Sequence, residues 1–233
     1  MVSSIIVAAG SGKRMGKSIN KVFLDLGGYP VLFHSIKAFQ DHPQVDEIIL
    51  VLKEEEMDGY SKEFASFMFD KVKRVTPGGA ERMDSVNRGL QCLDPQSEIV
   101  LIHDGARPFV SQEIISKGIE GARRWGAACP GVEPKDTIKG VDREGMIQKE
   151  LKRDQLRALQ TPQAFQSERL RELMDEARKA GLQYTDDTSL FYAAGQKVWV
   201  YPGSYRNFKI TTEEDLQLGR IRIRDTEGVN NQG

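Results

Sequence analysis

The sequence is poor in cysteine. Only Cys92 and Cys129 occur among its 233 residues, and they do not form a CxxC pair. A disulfide framework or a structural zinc site needs more cysteines at closer spacing, so we expect neither. Two isolated thiols are typical of small buried side chains in the reducing cytoplasm, where we expect this protein to be located.

The sequence also lacks long apolar runs and an excess of one charge. No run approaches the roughly 20 apolar residues that span a bilayer, so we expect no membrane association. The 33 basic and 34 acidic side chains give a formal net charge of -1. This balance gives no electrostatic reason to expect a nucleic-acid partner, which favours a basic face. A local group of cations can still bind a small anionic ligand.

Short apolar segments alternate with longer amphipathic segments along most of the chain. This alternation predicts an α/β fold with a mostly parallel sheet that is covered by helices on both faces. No repeat or linker divides residues 1–233, which indicates a single domain. We predict strands at 4–9, 47–52, 71–76, 99–103 and 197–201, and helices at 31–40, 54–69, 81–93, 111–125, 167–180, 187–194 and from Thr211.

The alternation stops at about residues 132–157, where the sequence is polar. Asp142 and Gly145 are turn residues, and they suggest a β-hairpin in this segment. The segment has too few apolar residues to form a core of its own. We therefore expect it to project as an arm and to pack on another surface, for which a partner subunit is the natural candidate.

A glycine-rich loop at residues 8–16 follows the first predicted strand. Gly10 and Gly12 allow the backbone to turn and to present N–H groups to an anion, and Arg14 and Lys21 add positive charge. The loop is not a Walker A motif, because arginine follows its Gly-Lys pair. Methionine at the last glycine position also argues against a dinucleotide fingerprint. The alternative is an incidental turn with solvated charges.

A second glycine pair opens the helix that is predicted at residues 81–93. The backbone at Gly79 is open enough to approach a flat base. Arg82 and Ser85 lie one helical turn apart, so they can face the same pocket. The alternative is an ordinary helix N-terminus that Glu81 stabilises through the helix dipole.

Asp104 ends a strongly apolar strand, where a carboxylate needs solvent, a cation or a metal. Such a carboxylate can hold Mg²⁺ on a nucleotide, directly or through water. An ion pair with Arg107 that closes a loop explains it equally well. The histidines His34, His42 and His103 are scattered, and we assign none of them to metal binding or base catalysis.

The second half of the chain contains further polar candidates. Lys135–Thr137 and Lys152–Arg153 lie at opposite ends of the predicted hairpin, and residues 185–188 are suited to capping a helix. We place Lys209 in a short strand before the last helix, which Thr211 or Thr212 caps. A lysine there either extends to solvent or points into an anion site.

Taken in order, these motifs resemble one family, the 2-C-methyl-D-erythritol 4-phosphate cytidylyltransferases of the non-mevalonate isoprenoid pathway. The resemblance runs from Ser4 to about Leu218 and rests on Ala-Ala-Gly-x-Gly-x-Arg-Met, Gly-Gly-x-x-Arg-x-Asp-Ser, His-Asp-x-Ala-Arg-Pro, Asp-Thr, Thr-Pro-Gln, Thr-Asp-Asp and Asn-x-Lys-Ile-Thr. It implies a Rossmann-like three-layer nucleotidyltransferase fold with a β-hairpin dimerisation arm. It also implies Mg²⁺-dependent transfer of CMP from CTP to methylerythritol phosphate, with release of pyrophosphate.

The resemblance also implies residue roles. Arg14 and Lys21 match the cations that stabilise the transition state on the α-phosphate, and Asp104 is the candidate for Mg²⁺. Arg153 and Lys209 match residues that position the attacking phosphate. The CTP pocket would comprise Ala8, Ala9, Gly10, Gly12, Gly79, Ala80, Arg82, Ser85, Asp104 and Gly105. The sugar-alcohol phosphate site would comprise Arg107, Thr137, Arg153, Thr185 and Lys209, and Thr137 and Arg153 would serve the neighbouring subunit of a homodimer.

Two residues depart from the family pattern, since Ala80 stands where relatives often have aspartate and Gly105 where many have alanine.

Three other functions compete with the family assignment. Ribitol-5-phosphate cytidylyltransferases share many of the motifs but usually carry Ala-Gly-Gly at positions 8–10. A nucleotide-binding module that has lost catalysis is less consistent with the retained cations, and a nicotinamide oxidoreductase is disfavoured by the cationic first loop.

Overall fold

The computed structural model describes residues 1–10 and 20–230. Its strands are β1 Val2–Val7, β2 Asp25–Leu26, β3 Tyr29–Pro30, β4 Glu47–Leu52, β5 Val72–Pro77, β6 Ile99–Asp104, β7 Ala127–Val132, β8 Lys139–Val141, β9 Ile147–Glu150, β10 Ala158–Leu159, β11 Gln163–Gln166 and β12 Trp199–Pro202. Its α-helices are α1 Val31–Gln40, α2 Met57–Phe64, α3 Arg82–Gln91, α4 Gln112–Trp125, α5 Ser167–Lys179, α6 Thr188–Ala193 and α7 Glu213–Asn230.

One large sheet forms the centre of the molecule, with strand order β10-β7-β11-β6-β1-β4-β5 and with β12 paired to β7. β1 runs parallel to its neighbours β4 and β6, and β5 runs parallel to β4. β11 is antiparallel to β6 and to β7. The predicted mostly parallel sheet is confirmed, although its far half is mixed.

Helices cover the sheet on both faces because alternate residues of the central strands point to opposite sides. Ile6 of β1 belongs to a buried cluster that includes Leu32 of α1 and Ile115 of α4. Its neighbour Ile5 belongs to the other cluster, which includes Val86 of α3 and residues of α5 and α6. This three-layer arrangement directs the carboxyl ends of β1, β5 and β6 towards one edge.

Several local predictions need correction. The single helix predicted at 54–69 is divided into two 3₁₀ turns and α2, and the last turn ends at Met68 with φ 44°. This break accompanies ring contacts of Phe67 with Phe33 and Phe64. The segment that carries Lys209 is not a strand. It lies across the loop after β6, where the N–H of Ile210 donates to the carbonyl of Ala106 at 2.8 Å.

The predicted hairpin is confirmed, since β8 and β9 pair antiparallel. Its turn uses the expected residues, because the N–H of Gly145 donates to the carbonyl of Asp142 and Gly145 has a φ of +87°. Apolar side chains stay exposed along the arm: Ile138 at 41%, Val141 at 59%, Met146 at 65% and Ile147 at 66%. The packing of this arm on a partner subunit stays a prediction.

Two predicted helix caps are also present. Ser111 caps α4, since its hydroxyl accepts a hydrogen bond from the N–H of Ile114. Thr212 precedes α7 and its hydroxyl accepts from the N–H of Asp215, whose carboxylate accepts in return from the N–H groups of Thr211 and Thr212. In the described part of the chain, no helix is both long and apolar enough to cross a bilayer.

Candidate active site

A cleft of about 500 Å³ lies at the carboxyl ends of β1, β5 and β6. Ligands of open α/β sheets bind in such clefts, at the ends of the strands. Segments that are far apart in the sequence line it: Val7, Ala8, Ala9, Gly10, Asn20, Lys21, Val22, Gly79, Ala80, Glu81, Arg82, Ser85, Asp104, Ala106 and Lys209. The fold thus brings most of the sequence-derived candidates together around one cavity.

The glycine pair after β5 forms one wall of this cleft. The N–H of Gly79 donates to the hydroxyl of Ser85 at 3.1 Å, and that hydroxyl donates to the carbonyl of Glu81 at 3.2 Å. A Cβ at Gly79 would lie 2.2 Å from the Cβ of Asp84, so only glycine fits here without movement of the backbone. The buried Ser85 side chain therefore stabilises the loop, and the loop presents the backbone of residues 79 and 80 to the cleft.

A carboxylate surrounded by cations also lines the cleft. Oδ2 of Asp104 is 2.9 Å from Nζ of Lys209 and 3.5 Å from Nε of Arg107, and Oδ1 is 3.8 Å from Nε of Arg82. Burial alone would raise the pKa of Asp104, but the three cations hold it well below its ordinary value. Asp104 is therefore ionised, and the Asp104–Arg107 ion pair considered from sequence is part of a larger cluster.

A buried hydrogen-bonded chain orients this cluster. The backbone N–H of Asp104 donates to Oγ1 of Thr161 at 3.0 Å, Nδ1 of His103 lies 3.1 Å from the same oxygen, and Nε2 lies 3.1 Å from the carbonyl of Arg107. Because a carbonyl only accepts, Nε2 carries the proton and Nδ1 accepts from the Thr161 hydroxyl. Burial lowers the pKa of His103 to about 4, so the ring is neutral and this pattern is fixed.

The donors at Asp104 suit a magnesium ion that is carried by a nucleotide. The described residues contain no group of three His, Cys, Asp or Glu side chains that could form a protein-only metal site. Mg²⁺ on a nucleotide needs only one or two carboxylates besides the phosphates. Arg82 approaches Oδ1 of Asp104 only to 3.8 Å, beyond hydrogen-bond distance, so this oxygen is the better placed of the two for a metal or its water.

The remaining candidates are placed elsewhere. Gly12 and Arg14 lie outside the described residues. Gly105 is buried behind the cleft, where its N–H donates to the carbonyl of Val7 and its carbonyl accepts from Ser35. Arg107 does not line the cleft, and its guanidinium donates to the carbonyl of Asn207 at 2.8 Å. Three further side chains are exposed and lie outside the cleft of their own chain: Thr137, Arg153 and Thr185.

Sequence reasoning missed Asn20, which fixes the place of Lys21. Its amide Nδ2 donates to the carbonyl of Ala8 at 2.9 Å and to Glu56 at 3.0 Å, and its Oδ1 accepts from the N–H of Val22. It thereby caps the 3₁₀ turn Lys21–Phe23 and ties that turn to the end of β1. Asparagine is a preferred cap, so its position just before Lys21 was a usable signal.

The relatives described below that resemble this chain are named for one activity. The family profile for 2-C-methyl-D-erythritol 4-phosphate cytidylyltransferase matches residues 2–225. The enzyme of that name from Clostridium beijerinckii is 45% identical over 225 residues, which is 97% of this chain and 99% of the relative. The one from Clostridium tetani is 43% identical over 228 residues, covering 98% and 92%.

Solved structures agree with the sequence comparison. The 4-diphosphocytidyl-2C-methyl-D-erythritol synthase of Anaerococcus prevotii superposes with a TM-score of 0.85 at 34% identity, covering 96% of this chain and 98% of that one. The 2-C-methyl-D-erythritol 4-phosphate cytidylyltransferase of Thermus thermophilus gives a TM-score of 0.77 at 32% identity, covering 94% and 98%. The resemblance that the motifs carry is thereby confirmed, and the chain belongs to the 2-C-methyl-D-erythritol 4-phosphate cytidylyltransferase family.

Proposed function

We propose that the cleft transfers CMP from CTP to 2-C-methyl-D-erythritol 4-phosphate. The products are pyrophosphate and 4-diphosphocytidyl-2-C-methyl-D-erythritol, an intermediate of the non-mevalonate isoprenoid pathway. The observation that carries this assignment is the cation cluster around Asp104 at the strand ends, in the cleft that the backbone at Gly79 also lines. Ribitol 5-phosphate is the less favoured acceptor, because the relatives described above are named for methylerythritol phosphate.

The chemistry requires positioning and charge neutralisation. The acceptor phosphate is already an anionic nucleophile, so neither a general base nor a covalent intermediate is needed. In our proposal Arg14 and Lys21 stabilise the charge that develops on the α-phosphate, and Lys209 and Arg153 hold the attacking phosphate in line. The placement of Lys21 and Lys209 on the same cleft supports this division of roles.

Magnesium would neutralise the triphosphate and the pyrophosphate that leaves. Asp104 is the residue that we propose to hold it, directly or through water. The backbone of residues 8–10 and 79–80 would surround the nucleotide, together with Arg82 and Ser85. Gly105 would contribute by allowing the chain after β6 to pass close to the chain after β1, since a Cβ there would lie 3.0 Å from the Cβ of Ala8.

We also propose that the protein acts as a homodimer in the cytoplasm, without nucleic-acid or membrane partners. The exposed apolar side chains of the arm, such as Ile147, are suited to burial against a second copy. Thr137 and Arg153 are exposed and lie outside the cleft of their own chain. Both features are consistent with an arm that completes the neighbouring site.

The proposal is tested by pyrophosphate release from CTP and Mg²⁺ with each of two acceptors, methylerythritol phosphate and ribitol 5-phosphate. We expect release only with the first. The variant Lys21→Ala, purified in parallel, controls for contaminating activity. Release only with ribitol 5-phosphate would overturn the acceptor but not the reaction type. No release with either acceptor, for a chain that binds CTP, would overturn the catalytic assignment.

A further inference from the structure

Two adjacent aspartates before α6 have different contacts. Asp186 caps the helix, since its carboxylate accepts hydrogen bonds from the hydroxyl of Thr188 and from the N–H of Ser189. Asp187 is buried, with 2% of its surface exposed, and makes no such cap. Its Oδ2 accepts instead from Nη1 of Arg82 at 2.7 Å. Capping therefore explains Asp186 but not the burial of Asp187.

Arg82 connects Asp187 to the cleft. It lines the cavity and lies between two carboxylates, with Nη1 at 2.7 Å from Asp187 and Nε at 3.8 Å from Asp104. A guanidinium is planar and rigid, so a short contact on one nitrogen restricts the direction of the remaining N–H groups. Asp187 thus holds Arg82 beside Asp104 without allowing it to close onto that carboxylate.

The position of Asp187 is itself fixed from the sheet. Its backbone N–H donates to Oε1 of Gln163 at 3.1 Å, and Gln163 is a buried residue at the start of β11. Burial raises the pKa of Asp187 although Arg82 opposes the shift, so the ionised carboxylate depends on its arginine partner. A buried charge is retained at a cost, which points to a role other than packing.

We infer that Asp187 is a positioning residue for CTP, acting through Arg82. This inference rests on the proposed function, since it assigns Arg82 to the nucleotide half of the cleft. Loss of the Asp187 charge releases the guanidinium towards Asp104, which both misdirects the arginine and occupies the carboxylate. The effect falls on nucleotide binding and not on the acceptor phosphate.

The first test compares Asp187→Asn with its neighbour Asp186→Asn. Asp187→Asn is expected to raise the KM for CTP about tenfold or more, by analogy with residues that orient metal ligands, whose loss costs about 10–100-fold. The kcat and the KM for methylerythritol phosphate should change much less. Asp186→Asn keeps an oxygen that can cap α6, so it should leave the KM for CTP within about twofold.

The second test is a double-mutant cycle in which the dissociation constant of CTP is measured by calorimetry. Arg82→Met and Asp187→Asn should each weaken binding, and the double variant should bind no more weakly than Arg82→Met alone. The double variant should also melt higher than Arg82→Met, because no unpaired carboxylate stays buried. Additive losses, or an unchanged KM for CTP in Asp187→Asn, would overturn the inference. An inactive wild-type chain would instead count against the proposed function.

Discussion

Nζ of Lys209 lies 2.9 Å from Oδ2 of Asp104, so a cation proposed to bind the acceptor phosphate pairs with a carboxylate proposed for the nucleotide site. The lysine comes from the segment before α7 and the aspartate from the end of β6. A single contact therefore joins the two halves of the cleft. A phosphate bound at Lys209 would share the ammonium group with Asp104, so in our proposal the two substrates lie close together.

Asp104→Asn tests this dual role. The change removes the charge that three cations surround, so turnover should fall by about a hundredfold or more. The free energy of unfolding should fall by about 3 kcal/mol, because Lys209, Arg107 and Arg82 then repel one another. Pyrophosphate release at several Mg²⁺ concentrations and urea unfolding measure the two effects. Asp58→Asn, an exposed change in α2, is the control, and a similar loss there would refute the specific role.

Lys21→Ala should reduce turnover far more than nucleotide binding. A preorganised cation that acts on charge developing in the transition state contributes on the order of 10²–10³ in rate. We expect kcat to fall by that factor and the dissociation constant of CTP to change by less than about tenfold. Single-turnover kinetics and calorimetry separate the two quantities. Lys62→Ala on the exposed side of α2 is the matched control, and unchanged kcat in Lys21→Ala would exclude Lys21 from the mechanism.

Alanine should impair CTP binding at Gly79 but stabilise the protein at Gly59. At Gly79 the new Cβ would meet the backbone and Cβ of Asp84 at 3.3 Å or less, so the loop must move and the KM for CTP should rise about tenfold. At Gly59, within α2, a Cβ meets nothing within 4 Å, and alanine should stabilise the protein by about 0.5–1 kcal/mol. Thermal unfolding and CTP saturation curves check both. Full CTP affinity in Gly79→Ala would show that the loop backbone does not shape the pocket.

His103 should make stability fall between about pH 6.5 and 4. Its pKa in the folded protein is about 4, below the value of 6.5 in the unfolded chain. In that window the unfolded chain binds more protons, so stability decreases as the pH falls, by up to about 3 kcal/mol. Well below pH 4 His103 is protonated in both the folded and the unfolded state, so the loss of stability is complete. The free energies of unfolding of the wild type and of His103→Gln, measured with urea, should differ less at low pH than at neutral pH. A difference that does not change with pH would refute this prediction.

The fold was predictable where periodicity is strong and local. β1, β4 and β6 are apolar runs, and their spacing with amphipathic helices specified a parallel sheet. β7 contains Pro130 and Gly131, which disfavour a strand, and its pairing with β11 and β12 is decided by contacts between distant segments. The break after α2 likewise follows from packing of aromatic rings, which a helical period cannot reveal.

The same distinction applies to the site. Gly79 and Asp104 could be predicted because each follows a recognisable strand. The contact of Arg82 with Asp187 spans 105 positions in the sequence, and that of Thr161 with His103 spans 58 positions. Neither contact can therefore be predicted from a local pattern. Thr161 and Asp187 lie in motifs noted in the sequence, but the contacts by which they orient the cluster were missed, whereas most residues that line the cavity were included. Asn20 was also missed, although the preference of asparagine for capping positions is a local signal.

Mixing two inactive variants tests whether the arm completes the neighbouring site. Arg153→Ala should damage the arm and Lys209→Ala the cleft, so each homodimer alone should be nearly inactive. If Arg153 serves the partner, a mixed dimer contains one intact site, formed by the undamaged cleft and the undamaged arm. Random exchange of subunits then restores about one quarter of wild-type activity, because half of the dimers are mixed and half of their sites are intact.

The dimer itself is tested by Ile147→Asp, which places a charge on the exposed apolar side of the arm. Sedimentation should show a monomer with an unchanged melting profile of the core, and activity should be lost with the shared site. Lys149→Gln, a polar change in the same strand, should leave the dimer intact. In the mixing experiment, no recovery of activity from Arg153→Ala and Lys209→Ala variants that are shown to exchange subunits would place Arg153 in the site of its own chain. A dimeric Ile147→Asp would instead move the interface away from the arm.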